Sequence, residues 1–291
     1  MAKIKSHKAK VGVHTSIAGG ISKSVERAAA LGCSTMQIFS HSPRQWRRTA
    51  IADEEAERFA DLRQEHDINP VFIHASYLIN LASHSSELLG KSIELLSYEL
   101  SIADQLGVEY VVLHTGSASG EDGKKARKRA VKAILKAVSA GQYKSAILLE
   151  NTAGERGDIT SSIANLADII DESNSDSIAG ICIDTCHAFS AGYDLIRPEG
   201  TDRLFTEIKK YIGLEKLKLI HLNDSKRPMG SGVDRHEHIG KGFIGNDGFR
   251  NLISDKRIRN IPMVLETPKK AEDDDKNNLI KVFGFIRHFN P

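Results

Sequence analysis

Short apolar runs alternate with segments of helical character eight times along this chain. The runs are four to seven residues long and rich in valine, isoleucine and leucine, which is typical of strands buried on both faces. Strands that alternate with helices pair in parallel through βαβ units, and eight such units favour a closed (β/α)8 (TIM) barrel over an open doubly wound sheet. The predicted strands are residues 10–14, 35–40, 70–74, 110–114, 146–150, 178–184, 217–221 and 263–266.

The helices between these strands are predicted from apolar stripes, capping residues and glycine stops. Residues 160–171 open with a Ser/Thr cap at Thr160 and carry an apolar stripe, whereas Gly107 and Gly141 are stops after two other helices. No linker or low-complexity tract divides the chain, so residues 1–291 are predicted to form one barrel domain. The predicted helices are residues 20–31, 52–66, 86–106, 122–140, 160–171, 198–212, 247–253 and 276–289.

Composition narrows the classes of protein to consider. A formal net charge of +2 is too small to indicate a nucleic-acid partner by itself, and three cysteines, an odd number, suit a reducing compartment. The basic start, residues 1–10, is followed by no apolar stretch of the kind a signal peptide needs. No apolar run has the length of a membrane span. We therefore expect a cytoplasmic protein without membrane contact.

Six consecutive predicted strands end in an imidazole or a carboxylate. In a barrel, the C-terminal ends of all strands open on the face that carries the active site. A ring of acids and imidazoles without a counter-charge would repel itself and leave polar groups unpaired, so bound divalent metal is the simplest explanation. In strand order, the residues are His74, His114, Glu150, Asp184, His221 and Glu266.

Three further candidate ligands lie outside the predicted strands. His187 is expected on the turn just after Asp184, and Asp234 and His236 lie in a loop, residues 230–245, that holds five glycines. Nine donors with one shared carboxylate suffice for about three ions at three or four protein ligands each. Mixed histidine and carboxylate ligation favours Zn²⁺, with Mn²⁺ or Fe²⁺ as alternatives.

Such a cluster suits hydrolysis at phosphorus. Two ions a few ångströms apart can stabilise both the attacking and the leaving oxygen of an in-line displacement. Zinc lowers the pKa of a coordinated water to about 7, so a separate general base is not required. A third ion can neutralise the leaving oxygen, and phosphodiester hydrolysis therefore fits better than a reaction on an uncharged substrate.

A loop after the second predicted strand has the side chains of a nucleic-acid contact. Residues 42–48, SPRQWRR, combine guanidinium groups, an amide and the only tryptophan of the chain, which suit phosphates, base edges and stacking. The alternative is a helix that begins at Pro43 and packs Trp46 inward.

A second loop follows His74 on the same predicted face. Tyr77 and Leu78 could enter a base stack, as apolar side chains do when they kink a duplex. The alternative is that the two side chains cover the barrel rim.

Together these residues resemble the endonuclease IV family of apurinic/apyrimidinic endonucleases, from residue 14 to residue 267. The most specific blocks are RQW (44–46), HASYLINL (74–81), LENTAG (149–154), IDTCHAF (183–189), HLND (221–224) and VDRH (233–236). The resemblance implies a (β/α)8 barrel with three zinc ions that cuts double-stranded DNA on the 5′ side of an abasic nucleotide. It implies a 3′-hydroxyl and a 5′-deoxyribose phosphate as products, trimming of blocked 3′ ends, and a role in DNA base excision repair. We expect a monomer.

Carried over position by position, the resemblance divides the nine donors among three ions. It makes Glu150 the catalytic residue that bridges the first two ions. The first ion would also be bound by His74 and His114, the second by Asp184, His221 and Glu266, and the third by His187, Asp234 and His236. The resemblance further implies that Arg44, Tyr77 and Leu78 are inserted into DNA at the lesion.

Two other functions are compatible with part of this pattern. A barrel sugar isomerase with two metal ions would explain the ring from His74 to Glu266, but it leaves Asp234, His236 and the Arg44–Trp46 segment unused. A non-catalytic, metal-stabilised module for damaged DNA would use all of them, and it predicts tight binding to an abasic duplex without strand scission.

Overall fold

The strands follow the predicted apolar runs closely. The computed structural model describes residues 9–289, with side chains as far as residue 287. Residues 1–8, which belong to the basic start, and the last two residues lie outside this range. The assignment of residues 1–291 to one domain therefore stays a prediction. The strands are β1 (Val11–Val13), β2 (Met36–Phe39), β3 (Val71–His74), β4 (Tyr110–Leu113), β5 (Ala146–Glu150), β6 (Ile178–Asp184), β7 (Leu217–His221), β8 (Asp224–Ser225), β9 (His236–Glu237) and β10 (Met263–Leu265).

Helices connect consecutive barrel strands and cover the outside of the barrel. Among the described residues, no helix is long and apolar enough to cross a membrane. The helices are α1 (Ser22–Ala30), α2 (Asp53–Glu65), α3 (Ser86–Gln105), α4 (Gly123–Val138), α5 (Ile163–Ser173), α6 (Thr185–Ser190), α7 (Pro198–Tyr211), α8 (Gly245–Ser254) and α9 (Asp274–Phe289).

Eight parallel strands form one ring in the order β1-β10-β7-β6-β5-β4-β3-β2, and β8 and β9 form a separate antiparallel pair. The ring closes between β1 and β2, where His14 and Gln37 form a parallel bridge and the Thr15 amide donates to the Gln37 carbonyl over 2.8 Å. A Cβ atom on Gly12 would lie 1.7 Å from the Thr35 carbonyl oxygen, so only glycine permits this approach. The predicted (β/α)8 barrel is confirmed.

Inward-facing side chains form two layers along the barrel axis. Successive side chains of a strand point to opposite faces, so residues two apart share the inward face. The lower layer is an apolar cluster separate from the main core, and each of its members is followed two positions later by one of the six predicted strand-end donors. The cluster consists of Phe72, Val112, Leu148, Cys182, Leu219 and Val264.

Two local predictions are wrong. His187 lies in the first turn of α6 and not on an irregular turn, because the Asp184 carboxylate caps this short helix by accepting from the His187 amide over 2.9 Å. The predicted helix 160–171 begins only at Ile163, with Ser162 as its capping residue. Thr160 is instead buried beside Thr152, with 3.3 Å between the two hydroxyl oxygens.

Candidate metal centre and nucleic-acid interface

The nine predicted donors converge at the C-terminal mouth of the barrel in three adjoining groups. Within each group, the candidate ligand atoms lie within 4.8 Å of one another. The carboxylate of Glu150 belongs to two groups, which is the position that a bridging ligand requires. The groups are His74, His114 and Glu150; Glu150, Asp184, His221 and Glu266; and His187, Asp234 and His236.

Glu150 stands at the centre of the first two groups. Its Oε2 atom lies 3.3 Å from His74 Nε2 and 3.1 Å from His114 Nε2. Its Oε1 atom lies 2.9 Å from His221 Nδ1. The side chain is fully buried, because it leaves the end of β5 toward the barrel axis. One carboxylate therefore faces imidazoles from three other strands.

The third group adjoins the second through His236. Asp234 lies between two imidazoles, with Oδ2 3.2 Å from His187 Nε2 and Oδ1 3.3 Å from His236 Nε2. His236 Nε2 is also 3.5 Å from Asp184 Oδ2. The β8–β9 pair carries His236 to this position, whereas α6 carries His187. The third group is therefore built from elements outside the barrel sheet, namely α6 and the β8–β9 pair with the loop that precedes β9.

Four imidazoles use one ring nitrogen to bond a fixed oxygen, which leaves the other nitrogen directed into the groups. Metal-binding histidines are commonly oriented in this way, because the outer bond fixes the tautomer and the ring plane. The outer bonds are His74 Nδ1 to the Ala75 carbonyl (2.7 Å), His187 Nδ1 to the Asn151 carbonyl (2.9 Å), His236 Nδ1 to the Glu266 carbonyl (3.0 Å) and His221 Nε2 to Gln37 Oε1 (2.8 Å).

Three amide side chains behind the donors were not predicted. Asn223 donates to Asp184 Oδ2 over 2.6 Å and accepts from the Glu266 amide over 2.7 Å. Asn151 accepts from the Asp184 amide over 2.7 Å, and Gln37 donates to Glu266 Oε1 over 2.6 Å. Each amide stands in a barrel strand or within two residues of its C-terminal end, and a polar amide next to a mostly apolar strand was the signal that could have indicated it.

The charges of the site shift one another's pKa values. Burial by itself would raise the pKa of Glu150, but the charges of His114 and His221 hold that pKa well below its usual range. Burial would lower the pKa of His187, but Asp184, Asp234 and Glu150 raise it well above its usual range. Without a cation, Glu150 is therefore ionised at neutral pH, and His187 carries a compensating proton. A metal ion would displace that proton, because only the neutral imidazole is a ligand.

The donor set fits divalent metal ions. Glu150 Oε2, His187 Nε2 and His236 Nε2 are buried and form no well-aligned hydrogen bond, although each has a neighbouring donor atom at 3.1–3.3 Å. An unpaired buried polar atom costs about 1–3 kcal/mol, and three of them in adjoining donor groups point to partners of the kind that bound cations would supply. Nitrogen and oxygen donors in nearly equal measure suit zinc better than magnesium or calcium. The residues present therefore fit the expected ions.

The cysteines near the donors are neutral packing residues. Cys182 lies within 4.8 Å of Glu150 and His221, and Cys186 within 4.8 Å of Asp184 and His236. Burial raises the pKa of both thiols to about 12, which keeps them protonated at neutral pH. Cys182 belongs to the apolar lower layer, and the Cys186 thiol donates to the Arg235 carbonyl over 3.6 Å, so both side chains serve to pack the interior.

The predicted nucleic-acid loops lie beside these groups. Residues 41–52 contain no helix, and Trp46 is 36% exposed, so the alternative of a helix from Pro43 with an inward tryptophan is wrong. Arg44 is exposed as well. Tyr77 is 61% exposed, with its ring centroid 5.8 Å from that of His74. Leu78 is half-buried against the main core, so the alternative of a rim-covering residue describes Leu78 better than Tyr77.

An open cavity of about 320 Å³ lies between Tyr77 and the third group. His74 and His114 of the first group line it, together with His187 and Asp234 of the third. Any molecule in this cavity therefore meets donors from two of the three groups.

Comparison with known proteins gives a consistent family assignment. The family model for xylose isomerase-like TIM barrels matches residues 25–287. A "Probable endonuclease 4" of Methanoculleus marisnigri is 43% identical over 273 residues, which are 94% of this chain and 97% of that protein. The crystal structure of endonuclease IV from Thermus thermophilus superposes with a TM-score of 0.86 at 36% identity, and the match covers 96% and 99% of the two chains. A D-tagatose 3-epimerase-like protein, 19% identical with a TM-score of 0.74, shares the fold alone.

Proposed function

The chain belongs to the endonuclease IV family, and on that premise we propose that it is a metal-dependent DNA repair endonuclease. It hydrolyses the phosphodiester on the 5′ side of an abasic nucleotide in double-stranded DNA. The products are a 3′-hydroxyl and a 5′-deoxyribose phosphate, and blocked 3′ ends are trimmed by the same site. A monomeric state and a cytoplasmic location stay predictions from the sequence.

In this proposal the nine donors hold three zinc ions. The observation that carries it is the set of three adjoining donor groups with buried, unpaired atoms on Glu150, His187 and His236. When bound, the ions would supply an activated water and charge neutralisation at the phosphate oxygens. Glu150 is the proposed bridging and catalytic residue, because its carboxylate faces donors of two groups at once.

The surrounding residues bind and orient the DNA. Arg44 and Tyr77 enter the duplex at the lesion, and their exposure supports this role, whereas the half-buried Leu78 would enter from the rim of the barrel. A missing base makes extrusion of the nucleotide cheaper, which is one source of selectivity. The cavity between Tyr77 and Asp234 would receive the extruded sugar and phosphate.

A nicking assay tests the reaction. A duplex with one abasic site is incubated with the zinc-loaded protein, and both new termini are identified by mass. We expect one cut on the 5′ side, with intact duplex and chelator-treated protein as controls. Tight binding without a cut would favour the non-catalytic module, and turnover of ketoses without any cut would favour the sugar isomerase.

A further inference from the structure

A buried carboxylate outside the metal centre contacts the roots of both DNA-facing loops. Glu99 lies on α3 and is 1% exposed. Its Oε1 accepts from the Ser76 amide over 3.1 Å, and its Oε2 accepts from the Ser40 hydroxyl. His41 Nδ1 lies 3.5 Å from Oε1. Ser76 directly precedes Tyr77, and Ser40 and His41 begin the loop that carries Arg44.

The two loops are also bonded to each other at this point. The Ser76 hydroxyl donates to the Pro43 carbonyl over 2.7 Å, and Pro43 directly precedes Arg44. On the other side of Glu99, His41 Nε2 lies 3.2 Å from the Gln45 carbonyl oxygen. The backbone on both sides of Arg44 is therefore linked to the Glu99 carboxylate, through two hydrogen bonds on the Pro43 side and three on the Gln45 side.

The same helix holds the rest of the first loop. The Tyr98 hydroxyl donates to the Thr49 carbonyl over 2.8 Å, and Arg48 forms an ion pair with Glu94. Residues 41–52 have no helix or strand of their own. Apart from one turn, in which the Gln45 amide donates to the Ser42 carbonyl over 3.1 Å, contacts with α3 and Ser76 hold this loop.

We propose that Glu99, acting through Ser40, His41 and Ser76, is a positioning residue that fixes the Arg44 and Tyr77 loops relative to each other. This inference rests on the proposed function, since it assigns the two loops to one DNA-binding event. Fixing both loops before binding removes the ordering entropy that DNA would otherwise have to offset. Burial raises the pKa of Glu99 to about 7, although the hydrogen bonds from Ser40 and Ser76 favour its charged form.

Three variants separate positioning from general stability. Glu99→Leu removes both carboxylate acceptors, Glu99→Gln keeps an acceptor for the Ser76 amide, and Ser40→Ala removes one link with little change in volume. Asp104→Asn is the matched control, because Asp104 also lies on α3 and its carboxylate accepts from the Ser145 amide over 2.7 Å. Ser145 directly precedes β5, so this bond lies at the end of the barrel opposite the metal centre.

The only tryptophan of the chain reports on the first loop. Time-resolved anisotropy of Trp46 in the full-length, zinc-loaded protein measures the motion of the loop without DNA. Nicking of an abasic duplex then gives KM and kcat, and elemental analysis gives the metal content. We expect Glu99→Leu to increase the motion of Trp46 and to raise KM about tenfold, as loss of buried hydrogen bonds implies, with unchanged metal content.

The KM of Glu99→Gln should be close to that of the wild type, and the KM of Ser40→Ala should lie between those of Glu99→Leu and the wild type. Asp104→Asn should lower the melting temperature without changing KM or the motion of Trp46. If Glu99→Leu does not fold, Ser40→Ala decides the question by the same readouts. Unchanged Trp46 anisotropy and unchanged KM in the folded variants would overturn the inference. Absence of nicking by the wild type would instead overturn the proposed function, while the anisotropy would still test the link between Glu99 and the loop.

Discussion

Gln37 Oε1 lies 2.8 Å from Nε2 of His221, across the barrel mouth. This contact turns His221 Nδ1 toward Glu150, Asp184 and Glu266. The same amide donates to Glu266 over 2.6 Å. One side chain of β2, which supplies no predicted metal ligand, therefore orients two donors of the second group.

Replacing Gln37 with leucine should weaken metal binding at the second group. Loss of an outer hydrogen bond to a ligand costs about 10–100-fold in metal affinity. Competition with a chelating dye measures the affinity. Thr35→Val, just before β2, is the control, because the Thr35 hydroxyl donates to the Pro70 carbonyl at the other end of the barrel. Equal affinities of the wild type and Gln37→Leu would show that Gln37 has no part in orienting His221.

Glu150→Gln should abolish most of the nicking activity while DNA binding survives. The substitution keeps the volume of the side chain but removes the negative charge shared by two donor groups. We expect a loss of kcat on the order of 10²–10³, comparable to removal of one key electrostatic group in other enzymes. Binding is measured by fluorescence anisotropy of a labelled abasic duplex, and Glu109→Gln, just before β4 at the other end of the barrel, is the control. Undiminished cleavage would refute a bridging role.

Tyr77→Ala should weaken the discrimination between abasic and intact duplex more than it lowers metal content. The Tyr77 ring is exposed and packs edge-on against Phe39 at 5.3 Å, so its removal leaves the donors in place. The ratio of kcat/KM values for the two duplexes measures discrimination. Tyr211→Ala removes another exposed tyrosine on α7 and should change neither quantity. A loss of metal with intact discrimination would assign Tyr77 to the scaffold.

Glu99 should make stability depend on pH in a defined direction. Burial raises its pKa from 4.5 to about 7, although hydrogen bonds from Ser40 and Ser76 oppose the shift. The folded chain thus holds the proton more tightly than the unfolded chain. The contribution of Glu99 to the free energy of unfolding therefore falls as the pH rises from about 4.5 to about 7 and stays constant at higher pH. The change is at most about 3 kcal/mol.

Urea unfolding of the wild type and of Glu99→Gln across this interval isolates the effect, because the other titrating groups are common to both proteins. The free energy of unfolding of Glu99→Gln should gain on that of the wild type as pH rises. Parallel pH profiles for the two proteins would mean that Glu99 titrates at its ordinary pKa.

The strands, and the placement of the six strand-end candidate donors at the barrel mouth, could be predicted from the alternation of side chains along buried strands. Buried parallel strands appear in the sequence as apolar runs. Residues two apart on a strand face the same side, so a polar residue two positions after an inward apolar residue lies at the barrel mouth, as with Phe72 and His74 or Leu148 and Glu150. The prediction of 146–150, 178–184 and 217–221 as strands matches β5, β6 and β7 residue for residue.

The supporting contacts were not predictable from local pattern. Gln37 and His221 are 184 residues apart, and no spacing rule links them. The six-residue helix α6 is too short to show an apolar stripe in the sequence. Its capping residue, Asp184, is also a candidate metal ligand, so its position alone does not indicate the start of a helix. The loop from residue 41 to residue 52 has no helical or strand pattern because Glu94 and Tyr98 of α3 hold it from outside.

The central claim is that nine side chains at the barrel mouth hold three cations. Elemental analysis of the desalted, zinc-reconstituted protein, beside His187→Ala and His74→Ala variants, tests it most directly. We predict three ions per wild-type chain and the loss of about one ion in each variant, from the third and the first group respectively. One ion or none per chain, together with full nicking activity in excess chelator, would contradict the claim.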